Sequence, residues 1–379
     1  MTMNENIKTA PKLILLSAGG TGGHMFPAEA LAQDLQSRGY RVALATDARG
    51  TKYQPFAGGI PVHVVKSGAL GSGLIYKIKS IAALGIGFFQ ARKLLSDLKP
   101  SVVVGFGGYP SVPAVYAAQT MKIPTIIHEQ NAILGKANVF LAPKADRIGV
   151  AWAHVEGLES EDESRAIVTG NPVRPDIAAL YNKPFPTIEQ DGALRIFITG
   201  GSQGAAVFGD VVPSALAKLP AHHRARLDIV QQCVELDIPR VKAIYEEAKI
   251  KADIRPFFKD MALQFEKCHL VIARSGAGTV SEVTTAGRPA IFVPYPHHAD
   301  QQQKRNADAV ADAGGAWVMT QNGFTAEALL ARLETFMQNP ETLFRAAENA
   351  RSCGRPDAAR KLGNIVMALA SGWDKHPQS

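Results

Sequence analysis

Two glycine-rich segments with the same local pattern stand in the two halves of this 379-residue chain. In the first, the apolar run at residues 13–16 leads into Gly19-Gly-Thr-Gly-Gly-His24 and then Pro27. In the second, an apolar run at residues 194–199 leads into Gly200-Gly-Ser-Gln-Gly-Ala205, and the two turns begin 181 residues apart. Each segment predicts a buried strand, a tight turn and a helix N-terminus, and Pro27 is expected to open the first helix. The repetition predicts two Rossmann-like halves that face each other across a cleft.

Length and composition agree with two ordinary globular domains. A chain of 379 residues exceeds the size at which single hydrophobic cores stop growing. Hydrophobic residues make up 46% and charged residues 20%, which excludes disordered and fibrous classes. The cysteines are Cys233, Cys268 and Cys353; they form no Cys-x-x-Cys pair, which predicts a reducing compartment and no structural metal. We expect a cytosolic protein without a signal peptide or membrane span.

The positive charge is concentrated in the first half. The net charge is +7 overall, whereas residues 1–150 alone contain 16 Lys and Arg against 7 Asp and Glu. Residues 74–96 predict an amphipathic helix that also carries basic side chains. Its apolar face can pack on the sheet or lie on a membrane surface, and the pattern alone favours packing.

Polar residues follow the predicted strands of the first half. Strands are predicted at residues 41–46, 62–65, 102–104 and 124–127, and the last is followed by His128-Glu-Gln-Asn131. Open α/β sheets bind ligands beyond the carboxyl ends of their strands, so this cluster favours a site in which Glu129 serves as base or orienter. The acidic residues 156–163 predict a solvated loop.

The densest stretch of the second half is residues 270–307. A strand at 270–273 leads into Arg274-Ser-Gly-Ala-Gly-Thr-Val-Ser-Glu282, whose small residues allow backbone amides to approach a diphosphate. A second strand, 289–293, leads into the polar residues 294–303, whose amide side chains can hydrogen-bond sugar hydroxyls.

Competing chemistries are disfavoured by the same loops. A dinucleotide fingerprint would need a third glycine where Met25 stands, and none of the glycine loops contains the Gly-Lys-Ser/Thr of a Walker A motif. Paired histidines such as His297-His298 lack metal-site spacing, and there is no Asp-x-Asp pair to carry a cation. The chemistry that these loops still favour is phosphate binding without a metal or cofactor.

Seven motifs resemble, in order along the chain, those of one known family. They are Gly19-Gly-Thr-Gly-Gly-His24, Gly107-Gly-Tyr-Pro-Ser111, His128-Glu-Gln-Asn131, Gly170-Asn-Pro-Val-Arg174, Gly200-Gly-Ser-Gln-Gly-Ala205, Arg274-Ser-Gly-Ala and Gln302-Gln303. Over residues 13–365 the chain resembles the N-acetylglucosaminyltransferases of glycosyltransferase family 28, which convert lipid I to lipid II in peptidoglycan synthesis.

The resemblance implies an α/β chain of GT-B fold, with two Rossmann-like, doubly wound parallel-sheet domains facing a central cleft. It implies an acceptor- and membrane-facing N-terminal domain at residues 1–174, a UDP-sugar-binding domain at 175–354, and a C-terminal helix within 355–379 that returns to the first domain. The reaction implied is an inverting, metal-independent transfer of N-acetylglucosamine from UDP-N-acetylglucosamine (UDP-GlcNAc) to the muramyl C4 hydroxyl of lipid I.

The resemblance also implies individual site residues. The donor site would comprise Thr21, Gly22, Gly23, Asn131, Arg174, Ser202, Phe258, Arg274, Ser275, Gly276, Ala277, Gly278, Thr279, Val280, Ser281, Glu282, Gln302 and Gln303. Phe258 and Met261 would flank the uracil, Glu282 would bind the ribose, and the two glutamines would contact the sugar hydroxyls in a register left open. The acceptor would meet His24, Tyr109 and Glu129, with His24 as the base and Glu129 as the rival base.

A lipid-linked acceptor shifts the preference for residues 74–93 toward membrane contact. The contact residues would be Leu74, Ile75, Lys77, Ile78 and Lys79, against anionic phospholipid on the cytoplasmic face of the inner membrane. Other cell-wall synthesis proteins are implied as partners, and nucleic acid is not. The alternatives are another UDP-sugar enzyme of the same fold, such as a glycolipid glycosyltransferase or a UDP-GlcNAc 2-epimerase, or a nucleotide- or nucleic-acid-binding protein.

Overall fold

The computed structural model of the chain describes residues 11–68, 74–189, 192–201, 204–297 and 300–372, without the side chains of residues 74–78. These residues form two parallel β-sheets with helices on both faces, which confirms the predicted fold class. We call each sheet with the helices packed on it a lobe.

The N-terminal lobe contains seven described strands in the order β3-β2-β1-β4-β5-β6-β7. Their bounds are β1 (Leu13–Ser17), β2 (Arg41–Thr46), β3 (Val62–Val64), β4 (Val102–Gly105), β5 (Thr125–Glu129), β6 (Arg147–Val150) and β7 (Ala166–Val168). The order reverses between β1 and β4, and this switch point is where doubly wound sheets place ligands.

The C-terminal lobe repeats this topology with six described strands in the order β10-β9-β8-β11-β12-β13. Their bounds are β8 (Leu194–Thr199), β9 (Leu227–Gln232), β10 (Lys251–Arg255), β11 (Leu270–Ala273), β12 (Ala290–Phe292) and β13 (Ala316–Val318). The two glycine turns recognised in the sequence follow β1 and β8, the first strands of the two lobes.

Fifteen α-helices connect these strands in the described residues. They are α1 (Gly22–Ser37), α2 (Leu74–Leu98), α3 (Ser111–Thr120), α4 (Lys136–Leu141), α5 (Ser160–Glu163), α6 (Pro175–Ala178), α7 (Ala206–Ala217), α8 (Ala221–Arg224), α9 (Ile238–Glu247), α10 (Met261–Lys267), α11 (Ala277–Thr285), α12 (Gln302–Ala311), α13 (Ala326–Gln338), α14 (Glu341–Cys353) and α15 (Ala358–Ser371). Short 3₁₀ turns occupy Gly50–Tyr53, Ala142–Lys144, Ala179–Asn182, Glu235–Asp237 and Gln321–Gly323.

The central strands of each sheet are buried on both faces, which explains why they read as continuous apolar runs. In β1, Leu13 and Leu15 pack into the core beneath α2 and α3, while Ile14 and Leu16 pack into the core beneath α1. The C-terminal helix α15 closes this second core through Leu362, Val366 and Leu369. Helix α15 therefore packs against the N-terminal lobe.

The structure corrects three local predictions. Helix α1 begins at Gly22 and not at Pro27, because the Thr21 carbonyl already accepts hydrogen bonds from the amides of His24 and Met25 at 3.2 and 3.1 Å. His128 and Glu129 belong to β5 and do not follow it. The acidic stretch at 156–163 is not simply a solvated loop, since it contains α5 with a buried Asp162.

Two glycines of α2 provide a test of how tightly this helix packs. A methyl group on Gly87 would lie 1.9 Å from the Lys66 carbonyl oxygen, whereas a methyl group on Gly85 would meet nothing within 4 Å. We expect Gly87→Ala to lower the free energy of unfolding by about 1–3 kcal/mol through overpacking. Gly85→Ala should raise it by about 0.5–1 kcal/mol through helix propensity. Urea unfolding of both variants measures the difference, and equal effects would contradict the packing of α2 described here.

Candidate active site

A cleft of about 770 Å³ lies between the two lobes, a volume typical of small-molecule sites. Three helix N-termini border it: those of α1 at Gly22 and Gly23, of α7 at Ala205 and Ala206, and of α11 at residues 276–279. The first amides of a helix have no intrahelical partner and carry the positive end of its dipole. The cleft is therefore suited to an anion with several oxygens, such as a diphosphate.

Most of the predicted donor-site residues line this cleft. Those that do are Gly22, Gly23, Arg174, Phe258, Met261, Arg274, Gly276, Ala277, Gly278, Thr279, Glu282 and Gln303. They come from both lobes and from the connection between them, so the cleft gathers segments separated by hundreds of residues. Ser202 lies outside the described residues.

Other predicted donor-site residues are placed differently. Val280 is fully buried in the core of the C-terminal lobe. The Ser281 hydroxyl donates to the Ala277 carbonyl at 2.8 Å. The same hydroxyl accepts from the side-chain amide of Asn171 at 3.2 Å. The amide of Gln302 donates to Asp300 at 2.8 Å, whereas Gln303 lies at the cleft. The side chains of Val280 and Ser281 thus support α11 from behind.

Arg174 and Glu282 join the two lobes at one end of the cleft. Nε and Nη2 of Arg174 both donate to Oε1 of Glu282, at 3.2 and 3.0 Å. The same guanidinium lies 5.5 Å from the ring centroid of Phe26 on α1. Burial raises the pKa of the Glu282 carboxyl, and the adjacent Arg174 opposes that shift. Residue Phe26, which the sequence did not single out, therefore belongs to the site.

The charge of Arg274 is largely engaged by the protein. Its Nη1 donates to the carbonyls of Val293 and Pro294 at 3.0 and 3.1 Å, and its Nη2 donates to Gln321 at 2.6 Å. The guanidinium also lies 5.6 Å from the ring of Tyr295. Arg274 therefore ties the loop after β12 to the cleft, and contributes positive charge there mainly at long range.

Gln232 was missed by the sequence reasoning, although it ends a strand as the recognised polar residues do. Its Oε1 accepts from the Thr199 hydroxyl and the Gly200 amide at 2.8 and 3.1 Å, and its Nε2 donates to the carbonyls of Gly201 and Pro256. A methyl group on Gly200 would lie 2.4 Å from the Ala205 amide nitrogen. Gln232 and Gly200 together fix the glycine turn at the N-terminus of α7.

His24 lies in the first turn of α1, half-buried against the turn that follows β4. Its Nδ1 is 3.2 Å from Oε1 of Gln130. A methyl group on Gly108 would lie 3.3 Å from Nε2 of the ring, so this glycine allows the close approach. Burial lowers the pKa of His24, and the charge of Glu129 partly opposes the shift. Tyr109, in the same turn, is 39% exposed.

Glu129 is 2% exposed and its carboxylate is held by four donors. Oε1 accepts from the backbone and side-chain amides of Asn131, both at 3.0 Å, and Oε2 accepts from the Gly135 amide and Asn138 at 2.9 and 2.8 Å. Proton transfer to this carboxylate would break part of that network. The four hydrogen bonds therefore make Glu129 the centre that organises the loop after β5.

Asn306 of α12 joins the two lobes and was also missed. It is fully buried; its Oδ1 accepts from the Ala132 amide at 2.9 Å, and its Nδ2 donates to Asn131 Oδ1 and the Ser275 carbonyl at 3.0 and 3.2 Å. In the sequence, Asn306 follows the polar cluster at 294–303 and shares a helical face with the end of that cluster. No other sequence pattern marks it. Asn131 and Ser275 thus sit behind the cleft in one hydrogen-bonded group.

Two further observations concern metals and membranes. The described residues contain no group of three or more His, Cys, Asp or Glu side chains arranged to hold a metal ion. In the same part of the chain, none of the helices combines the length and hydropathy needed to span a bilayer.

Solved structures place this architecture in a known class. The crystal structure of Acinetobacter baumannii MurG is similar over 94% of this chain and 99% of that chain, with a TM-score of 0.77 and 31% identity. A putative UDP-N-acetylglucosamine 2-epimerase from Listeria monocytogenes, at 17% identity and a TM-score of 0.68 over 97% of this chain and 98% of that chain, shares the fold alone. The fold and cleft therefore define a GT-B protein.

The family follows from sequence comparison. The glycosyltransferase family 28 N-terminal domain matches residues 14–150, and the family 28 C-terminal domain matches residues 195–362. The UDP-N-acetylglucosamine--N-acetylmuramyl-(pentapeptide) pyrophosphoryl-undecaprenol N-acetylglucosamine transferase of Rhodospirillum centenum is 51% identical over 94% of both chains. The chain belongs to glycosyltransferase family 28.

Proposed function

We propose that this chain transfers N-acetylglucosamine from UDP-GlcNAc to the muramyl C4 hydroxyl of lipid I and so makes lipid II for peptidoglycan. The observation that carries the proposal is a cleft bordered by three helix N-termini, with a histidine in the first turn of one of these helices. The chain is also 51% identical to the Rhodospirillum centenum transferase. The resemblance assigns the UDP part to the C-terminal lobe and the acceptor to the N-terminal lobe.

The donor assignments rest on the chemistry of the lining residues. The N-termini of α7 and α11 would bind the diphosphate, and Phe258 with Met261 would hold the uracil. Glu282 would accept from ribose hydroxyls. Gln303 accepts from the Tyr295 amide through Oε1 at 3.0 Å, so its Nε2 group is the end that would donate to a sugar hydroxyl. This arrangement favours Gln303 over Gln302 for the sugar.

The reaction is a displacement at the anomeric carbon with inversion. The acceptor oxygen bonds to that carbon as UDP leaves with the bonding electron pair, and the acceptor proton passes to Nε2 of His24. Negative charge that develops on the departing diphosphate would be stabilised by the helix N-termini of the C-terminal lobe. In this proposal no metal is required.

Transfer of labelled sugar from UDP-GlcNAc to a lipid I analogue, with chelator present, tests the function. We expect a labelled disaccharide lipid, formed at the same rate with and without chelator. Formation of an epimerised nucleotide sugar without transfer would instead favour the epimerase alternative, and a chelator-sensitive rate would overturn the metal-independent mechanism.

We also propose the domain boundaries at residues 174/175 and 354/355. The connection at Pro172 and Val173 lines the cleft, and α15, after residue 354, packs on the N-terminal lobe. Limited proteolysis that cuts near residue 175 and leaves both lobes intact would support the first boundary.

An exposed apolar patch supports peripheral attachment to the cytoplasmic face of the inner membrane. Its members are Ile81, Ile86, Phe89, Val139 and Phe140, each between 46% and 71% exposed. Ring contacts of 5.3–5.6 Å through Phe88 and Tyr116 connect Phe89 on α2 to Phe140 on α4. Exposed apolar area of this kind marks interaction sites.

Basic residues accompany this patch. Arg92 lies 5.8 Å from the ring of Phe88, and Lys144 lies 5.8 Å from the ring of Tyr116. Apolar side chains next to lysine and arginine suit an anionic phospholipid surface. Of the contact residues predicted in the sequence, Lys79 is exposed on the same helix, and the side chains of Leu74, Ile75, Lys77 and Ile78 lie outside the described residues.

Replacing both exposed aromatic residues should weaken binding to lipid vesicles. We expect Phe89→Glu/Phe140→Glu to lower the partition coefficient onto anionic vesicles about tenfold or more, because two apolar contacts are lost and two negative charges added. Co-sedimentation measures this. Leu236→Glu, at a 91% exposed position of the C-terminal lobe, is the control and should bind like the wild type. Equal binding by the double variant would remove the patch from the attachment site.

A further inference from the structure

Gln130 is 1% exposed and lies between two histidines at the end of β5. One end of its amide faces His24 Nδ1 at 3.2 Å. The other end lies 3.0 Å from the Phe106 carbonyl, 3.0 Å from the His128 carbonyl and 3.1 Å from Nδ1 of His128. The resemblance described above assigns this glutamine no role.

The two carbonyls determine which way the amide points. A backbone carbonyl oxygen only accepts hydrogen bonds, so the end of Gln130 that faces both carbonyls must be the NH₂ group. The opposite orientation would bring three buried oxygens together. The end that faces His24 is therefore the carbonyl oxygen Oε1.

The hydrogen bonds of His128 lead to the same orientation of the Gln130 amide. Its Nε2 lies 2.9 Å from the Gly170 carbonyl, so Nε2 carries the hydrogen. Burial lowers the pKa of His128 to about 4, which keeps the ring neutral. Nδ1 is then an acceptor that shares one Gln130 N–H with the His128 carbonyl. The hydrogen bonds run in one direction, from His24 through Gln130 and His128 to Gly170.

An acceptor at Oε1 of Gln130 requires a donor at Nδ1 of His24. We propose that Gln130 is a positioning residue that holds His24 in the Nδ1–H tautomer, so that the Nε2 lone pair takes the proton of the acceptor hydroxyl. This inference rests on the proposed function for its catalytic meaning, but not for the tautomer itself. After transfer, the imidazolium keeps its Nδ1–H bond to Gln130 and releases the Nε2 proton to solvent.

The neutral amide also distinguishes this site from a histidine–carboxylate pair. A carboxylate at this position would stabilise the imidazolium and raise the pKa of His24. Burial lowers the pKa of His24. Of the charged groups that act on the ring, Glu129 raises its pKa and Arg49 lowers it, and the hydrogen bonds with Gln130 and the Phe106 carbonyl also raise it. Gln130 orients the ring without adding a full charge, and burial outweighs the raising contributions, so the ring remains a free base at neutral pH.

Nitrogen-15 NMR of imidazole-labelled protein tests the tautomer directly. At neutral pH we expect His24 of the wild type to show a protonated Nδ1 and an unprotonated Nε2, with the resonances assigned by their loss in His24→Ala. In Gln130→Met, which keeps the side-chain length but removes the acceptor, the Nε2–H tautomer should grow. A wild-type His24 protonated at Nε2, or a tautomer ratio unchanged in Gln130→Met, would overturn the proposal.

Kinetics test whether Gln130 acts through His24. Gln130→Met should lower kcat about tenfold or more while the KM for UDP-GlcNAc changes less than about twofold. In a His24→Ala background the same change should have no further effect, whereas a multiplied loss would show an independent role.

Gln119→Met is the matched control. It removes another amide of the same lobe, since Gln119 on α3 donates to the carbonyl of Leu141 at the end of α4 at 2.9 Å. We expect Gln119→Met to leave kcat and the His24 tautomer unchanged. If it changed kcat or the tautomer as much as Gln130→Met does, the effect of Gln130 would be one of general packing. If the wild type transfers no sugar, the proposed function fails while the NMR result still decides the tautomer.

Discussion

Replacing His24 by alanine is expected to lower kcat by about 10²- to 10⁴-fold while the Kd for UDP-GlcNAc changes less than about twofold. The ring packs against the Gly107–Gly108 turn of the N-terminal lobe, so its loss removes the proposed proton acceptor and leaves the residues that line the cleft in place. Steady-state kinetics with a lipid I analogue and calorimetric titration with UDP-GlcNAc give the two quantities.

The pH dependence provides a second signature of His24. Burial lowers its pKa below the ordinary value of 6.5, so the ring is unprotonated at neutral pH. A base with a lowered pKa loses activity only as the pH falls through that pKa. We therefore expect the kcat/KM of the wild type to be flat near neutral pH and to decline below about pH 6.5. This acid limb should be absent from the residual activity of His24→Ala.

An exposed histidine of the other lobe provides the control. His222 of α8 is exposed, before the start of β9 and so at the edge of the sheet opposite the cleft. His222→Ala should leave kcat and the acid limb unchanged. If His24→Ala retains wild-type turnover, or if its loss appears as weaker UDP-GlcNAc binding alone, His24 is not the base.

Removal of the Asn306 side chain should have the second large effect. Asn306→Ala removes a hydrogen-bond partner from the partly buried Ala132 amide and from the buried Ser275 carbonyl. Each unsatisfied group costs about 1–3 kcal/mol, so we expect the free energy of unfolding to fall by about 2–4 kcal/mol. Because the same bonds hold Asn131 and the turn before α11 in register across the cleft, kcat/KM should fall about 10- to 100-fold.

The neighbouring Arg305 offers a matched control for Asn306. Its guanidinium also spans the two lobes and lies 2.9 Å from Glu156, but both side chains are nearly half exposed. Exposed pairs contribute about 0–1 kcal/mol, so Arg305→Ala should change stability and kcat/KM little. Urea unfolding and steady-state kinetics of both variants measure the contrast. Equal effects would mean that burial of the Asn306 bonds carries no special weight.

Much of the fold could be predicted from the sequence because its signals are local. Apolar runs bounded by glycine turns located strands such as β1, β2, β8 and β11 within a residue, since strands buried on both faces need continuous apolar sequence. The turns at Gly19 and Gly200 revealed the repeat for the same reason. The predicted start of α1 at Pro27 was wrong. The amides of His24 and Met25 already donate to the Thr21 carbonyl, and the position of a proline carries no information about these hydrogen bonds.

The sequence by itself determined the two-sheet architecture, the family and many of the residues that line the cleft, because motifs and strand ends lie at the same edge of a parallel sheet. Only the tertiary structure shows how the polar groups are paired. Four donors surround the carboxylate of Glu129, and Gln130 and Asn306 have partners 106 and 175 residues away in the sequence. Hydrogen-bond partners depend on such distant contacts, and local sequence patterns carry no record of them.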